Sequence, residues 1–307
     1  MKKVHLPKKN YTIGLVQMSV SAHVDQNIKK AIDRIGLVAQ KGAEIICLPE
    51  LFSSRYFCQS EDPAYFDLAE PIPGPTTKIF SAVAKKHRVT LIVPIFERRA
   101  SGVYHNSAAI IDADGSLIGL YRKMHIPDDP AYYEKYYFSP GDLGFQAFNT
   151  TYGRIGTLIC WDQWYPEGAR ITTLLGASTL FFPTAIGWHP NEKAALGAAQ
   201  RDAWQTVQRG HAIANGTYVA AVNRIGLEKT STNASGIEFW GSSFIADPQG
   251  VILAEASVDK EELLIAEVDL KHQEDILRNW PFLRDRRIDA YGGMTQRFLE
   301  EEKWRKK

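Results

Sequence analysis

Short apolar runs bounded by Gly, Pro or Asp alternate along the chain with longer stretches whose apolar residues recur about every 3.6 positions, the pattern of buried strands exchanging with helices. Tyr11 to Val16, Glu44 to Leu48, Thr90 to Ile95, Ala108 to Ile111, Ile155 to Ile159, Thr179 to Phe182 and Tyr218 to Val222 read as buried strands. Asp25 to Gln40, Thr76 to His87, Pro166 to Leu175 and Lys193 to Asn215 read as helices. Asp112-Ala113-Asp114-Gly115 and Asp247-Pro248-Gln249-Gly250 read as hairpin turns, which makes the sheet mixed, not purely parallel. No Ser/Gly-rich linker and no repeat of roughly 20–50 residues divides the chain. The expectation is one α/β domain over 1–307 with an irregular tail from about 280.

Composition narrows the class. Hydrophobic residues at 45% and charged residues at 23% exclude a disordered or fibrous protein. A net charge of +1, with basic runs only at the two ends, argues against nucleic acid and against an anionic membrane as partners. The longest mainly apolar stretches, such as Ser178 to Trp188, fall short of the ~18–20 residues that cross a bilayer. Met1-Lys2-Lys3 followed by Ile13 to Val16 superficially matches a signal peptide, but Gln17 interrupts a short apolar core, so it reads as a first strand. Cys47, Cys58 and Cys160 form no C-x-x-C pair, and their odd number argues against a disulfide framework and for a reducing cytoplasm.

The chain holds no G-x-x-x-x-G-K-[ST] loop, no G-x-G-x-x-G after a strand and no H-E-x-x-H, so ATP, dinucleotide and zincin chemistries lose their main support. Its eight histidines are scattered without metal-ligand spacing, and neither metal nor cofactor is expected. What remains is the rule that α/β folds place reactive groups at the C-terminal ends of strands. Three exits carry them: Glu50 after Glu44 to Leu48, Lys123 after Leu117 to Arg122, and Cys160 after Ile155 to Ile159, just before a helix opening near Pro166. Each residue alone has a bland reading as a buried thiol, a loop carboxylate or a surface lysine. Together they fit one chemistry, because a thiol is only a few per cent thiolate at neutral pH and needs a base and a cation beside it. Cys47 and Cys58 read as structural, and a Cys-His hydrolase using His211, His189 or His125 stays open.

At these residues the chain resembles the nitrilase superfamily, the carbon–nitrogen hydrolases with a Glu-Lys-Cys triad. The strings that carry the likeness include Leu48-Pro49-Glu50-Leu51-Phe52, Tyr121 to Asp128, Glu134 to Asp142, Ile159 to Glu167, Phe182 to Gly187, Gly241 to Ala246 and Phe282 to Arg287. The resemblance runs from about Tyr11 to Tyr291 and implies a four-layer αββα sandwich with mixed sheets. It implies Glu50 as general base, Lys123 as oxyanion cation, Cys160 as nucleophile and Glu134 as a second carboxylate orienting substrate and lysine. Asp162, Glu167 and Arg170 would hold the turn around the nucleophile, and the Trp161 backbone N–H would help bind the oxyanion. Trp161, Tyr132, Trp164, Thr184, Ala185 and Trp188 are the implied substrate-binding residues, with no cofactor and no metal.

The branch most alike acts on N-carbamoylputrescine, whose far ammonium would need an acidic or aromatic partner among Tyr132, Tyr133, Trp164, Trp188 and Glu192. A carbamoyl amino acid or carbamoyl-β-alanine, held by Arg201 or Arg209, is the alternative substrate. A non-catalytic scaffold is the alternative of another class, and the presence of all three triad residues opposes it. The tail from Trp280 to Tyr291 would dock on another subunit, giving a homodimer or a higher homo-oligomer.

Overall fold

The computed structural model describes residues 10–230 and 233–299. In chain order β1 (Asn10–Gln17), α1 (Val24–Gln40), β2 (Ile45–Cys47), α2 (Pro75–His87) and β3 (Thr90–Ala100) are followed by β4 (Val103–Ile111) and β5 (Leu117–Arg122). A one-turn helix, α3 (Glu134–Tyr137), leads to β6 (Ala147–Asn149), β7 (Arg154–Thr157), α4 (Pro166–Leu174), β8 (Thr179–Pro183), β9 (Gly187–Trp188), α5 (Lys193–Asn215) and β10 (Tyr218–Val222). The last elements are β11 (Ile225–Glu228), β12 (Ile237–Trp240), β13 (Phe244–Ala246), β14 (Ile252–Glu255), β15 (Glu262–Asp269) and α6 (Leu270–Asn279).

Among the described residues two six-stranded sheets form, in the orders β15-β1-β2-β3-β4-β5 and β14-β13-β10-β8-β7-β6, with a small sheet β11-β12-β9 beside them. Both large sheets are mixed. The strands β1, β2 and β3 are parallel, as are β7, β8 and β10, and antiparallel strands flank each set.

The period of two along each strand sets the layers. Ile13 and Leu15 of β1, Ile45 and Cys47 of β2, and Ala108 and Ile110 of β4 join Ile155, Phe181 and Ala220 of the other sheet in one buried cluster. Their neighbours Val16, Ile46, Leu91, Val93, Ala109 and Ile111 face the other way, onto Ile35 and Val38 of α1 and Phe80 and Ala84 of α2. Gly14 marks how close α1 lies, since a Cβ there would sit 2.9 Å from Val38 Cγ2 and Ala43 Cβ. On the far side α4 and α5 cover β8 and β10, and His211 of α5 stacks on Phe182 of β8. The result is helix, sheet, sheet, helix: the four layers expected.

Both hairpin turns form at the expected residues, with Gly115 N–H on the Asp112 carbonyl and Gly250 N–H on the Asp247 carbonyl. The hairpin of β3 and β4 runs further than hydrophobicity indicates, because its outer residues Arg98, Arg99 and Ala100 are exposed. The strands β11 to β15 are short or half-exposed. The tail after α6 is irregular over its described part, and its expected continuation through 300–307 lies outside the described residues. Among the described residues no helix is long and apolar enough to cross a membrane.

Candidate active site

The strand exits converge. Lys123 follows β5, and its Nζ donates to Glu50 Oε1 at 2.8 Å and to Glu134 Oε2 at 2.6 Å, with all three side chains fully or almost fully buried. Asn106 of β4 donates to the same Glu50 Oε1 at 2.7 Å, while Glu50 Oε2 is buried with no hydrogen-bond partner among the described residues. One carboxylate oxygen is thus anchored by two donors and the other is free to take a proton. Glu134 opens α3 and accepts the Tyr56 hydroxyl at 2.7 Å through its other oxygen. It is 1% exposed, where a surface glutamate would stand in water.

Backbone contacts fix Lys123 from both sides: its N–H donates to the Asn106 carbonyl, and its carbonyl accepts Gly141 N–H, each at 2.8 Å. A Cβ at Gly141 would lie 2.1 Å from the Arg122 carbonyl oxygen, so only glycine permits this approach. Arg122 in turn forks onto Glu97 at 2.5 and 2.8 Å.

Cys160 sits where β7 gives way to a 3-10 turn, with φ at 44°, a left-handed conformation that costs a non-glycine residue about 1–3 kcal/mol. Asp162 holds the turn, as expected for it. One of its oxygens accepts Ile159 N–H at 2.9 Å and Tyr121 OH at 2.7 Å; the other takes His125 N–H at 2.9 Å and contacts His125 Nδ1 at 2.7 Å. Because Tyr121 and His125 bracket Lys123, this carboxylate also ties the cysteine exit to the lysine exit. Glu167 is exposed in the first turn of α4, and Arg170 is half-buried beside it.

The electrostatics follow from burial. Desolvation pulls against the Lys123 ammonium, but the carboxylates of Glu134 and Glu50 outweigh it and hold its pKa well above the usual lysine value. Desolvation, reinforced by Glu50 and only partly offset by Lys123, pushes Glu134 up to about 7. Burial and then the Glu50 charge raise the Cys160 thiol, so it rests protonated and must lose its proton as it attacks. Its Sγ donates to the Ala185 carbonyl at 3.8 Å, and among the described residues no histidine hydrogen-bonds it. His211 is held by the Gln163 carbonyl, His125 by Asp162, and His189 stands on the cavity wall. Cys58, expected to be merely structural, lies within range of the Glu134, Lys123 and Glu50 charges, though burial dominates its raised pKa.

A cavity of about 1140 Å³ opens over Cys160 and Glu134, and Tyr132, Trp161, Trp164 and Ala185 line it. Two expected substrate-binding residues do not. Thr184 turns inward, its hydroxyl on the Phe182 carbonyl and Gln163 Oε1, and Trp188 is buried with its indole N–H on the Gly197 carbonyl at 2.9 Å. Nor does either alternative arginine reach the cavity: Arg201 bonds Ser242 Oγ and Arg209 the Gly250 carbonyl. Glu61, Asp129 and Glu192 stand on its walls, and no lysine or arginine is among its lining residues. Glu61 and Asp129 lie in loops without periodicity, so no sequence signal marks them. Asn223 and Arg224, by contrast, directly follow the apolar run of β10, and the strand-exit rule applied there would have found them. Among the described residues no group of three or more His, Cys, Asp or Glu is placed to hold a metal ion.

Residues 12–276 match the family profile described as Carbon-nitrogen hydrolase. An N-carbamoylputrescine amidase of Solanum lycopersicum is 46% identical over 283 residues, covering 91% of this chain and 93% of that enzyme. A citrullinase of Francisella tularensis is 41% identical over 290 residues, covering 94% and 99%. The crystal structure of a carbon–nitrogen hydrolase from Helicobacter pylori superposes with a TM-score of 0.91 at 46% identity, covering 94% of this chain and all of that one.

Proposed function

The chain belongs to the carbon–nitrogen hydrolase family, whose members cleave non-peptide C–N bonds, and from that premise we propose that it hydrolyses N-carbamoylputrescine to putrescine, carbon dioxide and ammonia. A ureido carbonyl carries two donating nitrogens and is a poor electrophile, so attack demands both an activated sulfur and a stabilised oxyanion. Glu50 takes the Cys160 proton on its free Oε2 as the sulfur attacks. The Lys123 ammonium and the Trp161 backbone N–H receive the developing oxyanion, where losing one such donor costs about 10²–10³ in rate. Glu50 returns the proton to the departing nitrogen, leaving a thiocarbamate on Cys160. Water activated by the same carboxylate then releases a carbamate, which loses carbon dioxide. Glu134 holds Lys123 in place and orients the substrate.

The observation that carries the substrate is the charge of the cavity wall: Glu61, Asp129 and Glu192 face it, without a lysine or arginine to receive a carboxylate. An ammonium at the far end of a flexible chain gains partners there, whereas a carboxylate enters uncompensated. Relative kcat/KM for N-carbamoylputrescine and N-carbamoyl-β-alanine tests this, with a preference of about 100-fold expected for the cation, equivalent to about 3 kcal/mol. Faster turnover of the carboxylate would reject the substrate and leave the Cys160 chemistry standing. Citrulline is the second reading, favoured by the citrullinase relative; its ammonium suits the same wall but its carboxylate does not.

Residues 1–307 are taken as a single catalytic domain that assembles as a homodimer or larger. Trp280, Phe282 and Ile288 on the tail are 54%, 43% and 73% exposed, which supports a subunit contact. Three separate free thiols, each buried, suit the reducing cytoplasm.

A further inference from the structure

Arg224 and Glu228 are a buried ion pair that the mechanism above does not use. Arg224 has no exposed surface, and Glu228 is 3% exposed. The Arg224 guanidinium donates from Nη2 to the carbonyls of Glu50 at 2.6 Å and Leu51 at 2.8 Å, and from Nη1 to the carbonyl of Ser54 at 3.2 Å. Leu51 carries a φ of 47°, so the turn that delivers Glu50 is strained and persists only where its surroundings hold it. Glu228 accepts Arg224 Nη1 at 3.0 Å and, through its other oxygen, the backbone N–H of Tyr56 at 2.6 Å. Tyr56 in turn gives its hydroxyl to Glu134.

A fully buried ion pair is a weak source of stability, because desolvation offsets the attraction. What this one supplies is geometry. The guanidinium holds the Glu50 and Leu51 carbonyls on Nη2 while Nη1 reaches the Ser54 carbonyl and Glu228, a rigid planar span over two nitrogens that a single ammonium on a flexible stem does not reproduce. We propose that Arg224 and Glu228 are positioning residues that fix both carboxylates against Lys123: Glu50 through the carbonyls of its own turn, and Glu134 through Tyr56. The proposal rests on Glu50 being the base of the Cys160 chemistry, and not on which ureido compound is the substrate. The neighbouring Asn223 extends the same device, its amide bridging the Ile186 and Gly241 carbonyls and so setting the loop after Ala185.

The test compares Arg224→Lys and Glu228→Gln with the wild type in the full chain. Melting curves and circular dichroism establish folding; kcat and KM for N-carbamoylputrescine and the rate of Cys160 alkylation by iodoacetamide are then measured. A displacement of about 1 Å at a reacting group costs on the order of 100-fold, so Arg224→Lys should lower kcat by about that factor. KM should stay within about threefold, because no cavity contact is removed. Alkylation of Cys160 should slow with kcat, and Glu228→Gln should show a smaller loss of the same kind. A purely structural pair would lower the melting temperature and leave folded enzyme with wild-type kcat and thiol reactivity. Folded variants with kcat within about twofold of wild type, or a loss confined to KM, would overturn the proposal. Should Arg224→Lys fail to fold, Glu228→Gln decides alone. A wild type that alkylates at Cys160 but leaves N-carbamoylputrescine intact would reject the substrate, and alkylation rates of the variants would still decide the positioning role.

Discussion

Replacing Lys123 by methionine keeps most of the side-chain volume and deletes the cation that joins the buried carboxylates of Glu50 and Glu134. Lys123 and Glu50 are 0% exposed and Glu134 1%, so water cannot take over the lost contacts. Removing one partner of a buried ion pair costs about 3–5 kcal/mol, which lowers the melting temperature of a chain this size by on the order of 10 °C. The loss also depends on pH. Burial already pushes Glu134 up to about 7 with Lys123 opposing it, so without that opposition its pKa climbs further. A carboxyl raised in the folded state gives stability that is fully present below its unfolded value and lost as pH rises through the folded one. The deficit against wild type should therefore widen from about pH 6 to about pH 8, while the wild-type lysine stays charged throughout. Turnover loses the proposed oxyanion cation, for a fall of about 10²–10³. Melting curves at the two pH values, alongside ammonia release, read both effects. A folded variant whose deficit is unchanged or smaller at the higher pH, or whose turnover stays within about tenfold of wild type, would refute the reasoning.

The pH–rate profile should show an acid limb with an apparent pKa of about 7, falling as pH drops, because Glu134 must be ionised to hold Lys123; kcat/KM that stays flat down to about pH 5 contradicts it. Asp162→Asn replaces an oxygen that faces donors by an NH₂, leaving buried donors unpaired at about 1–3 kcal/mol each; kcat should fall by on the order of 100-fold with the fold retained, and unchanged kcat would remove Asp162 from the support of the turn at Cys160. Truncation after Asn279 should lower solution mass and melting temperature together, and a full-length protein that is monomeric by light scattering would end the assembly proposal.

The legible part of the site was the part carried by strand exits. Glu50, Lys123 and Cys160 each follow an apolar run, and the run itself announces where the side chain emerges. Glu134 was expected from the resemblance and not from periodicity, because its helix is a single turn; its burial comes from Tyr56 and its neighbours, which are distant in sequence. Thr184 and Trp188 were misplaced for a related reason. They flank lining residues, but successive side chains leave β8 and β9 in opposite directions, and Gln163 and Gly197 claim their polar atoms. Asn106 is a polar residue inside a strand, and what it faces, Glu50 in the loop after β2, is distant in sequence. The mixed α/β character was readable from the alternation of runs and helical stretches and the four layers came from the family resemblance, whereas β11 to β15 depend on pairing partners already in place, as β15 does on β1.

The account stands on Cys160 carrying the acyl group. Enzyme quenched during turnover of N-carbamoylputrescine and weighed intact should show a single adduct, which proteolysis maps to the peptide containing Cys160 and which Cys160→Ala abolishes together with ammonia release. An adduct on Cys47 or Cys58, or a folded Cys160→Ala enzyme that still releases ammonia at the wild-type rate, would contradict it.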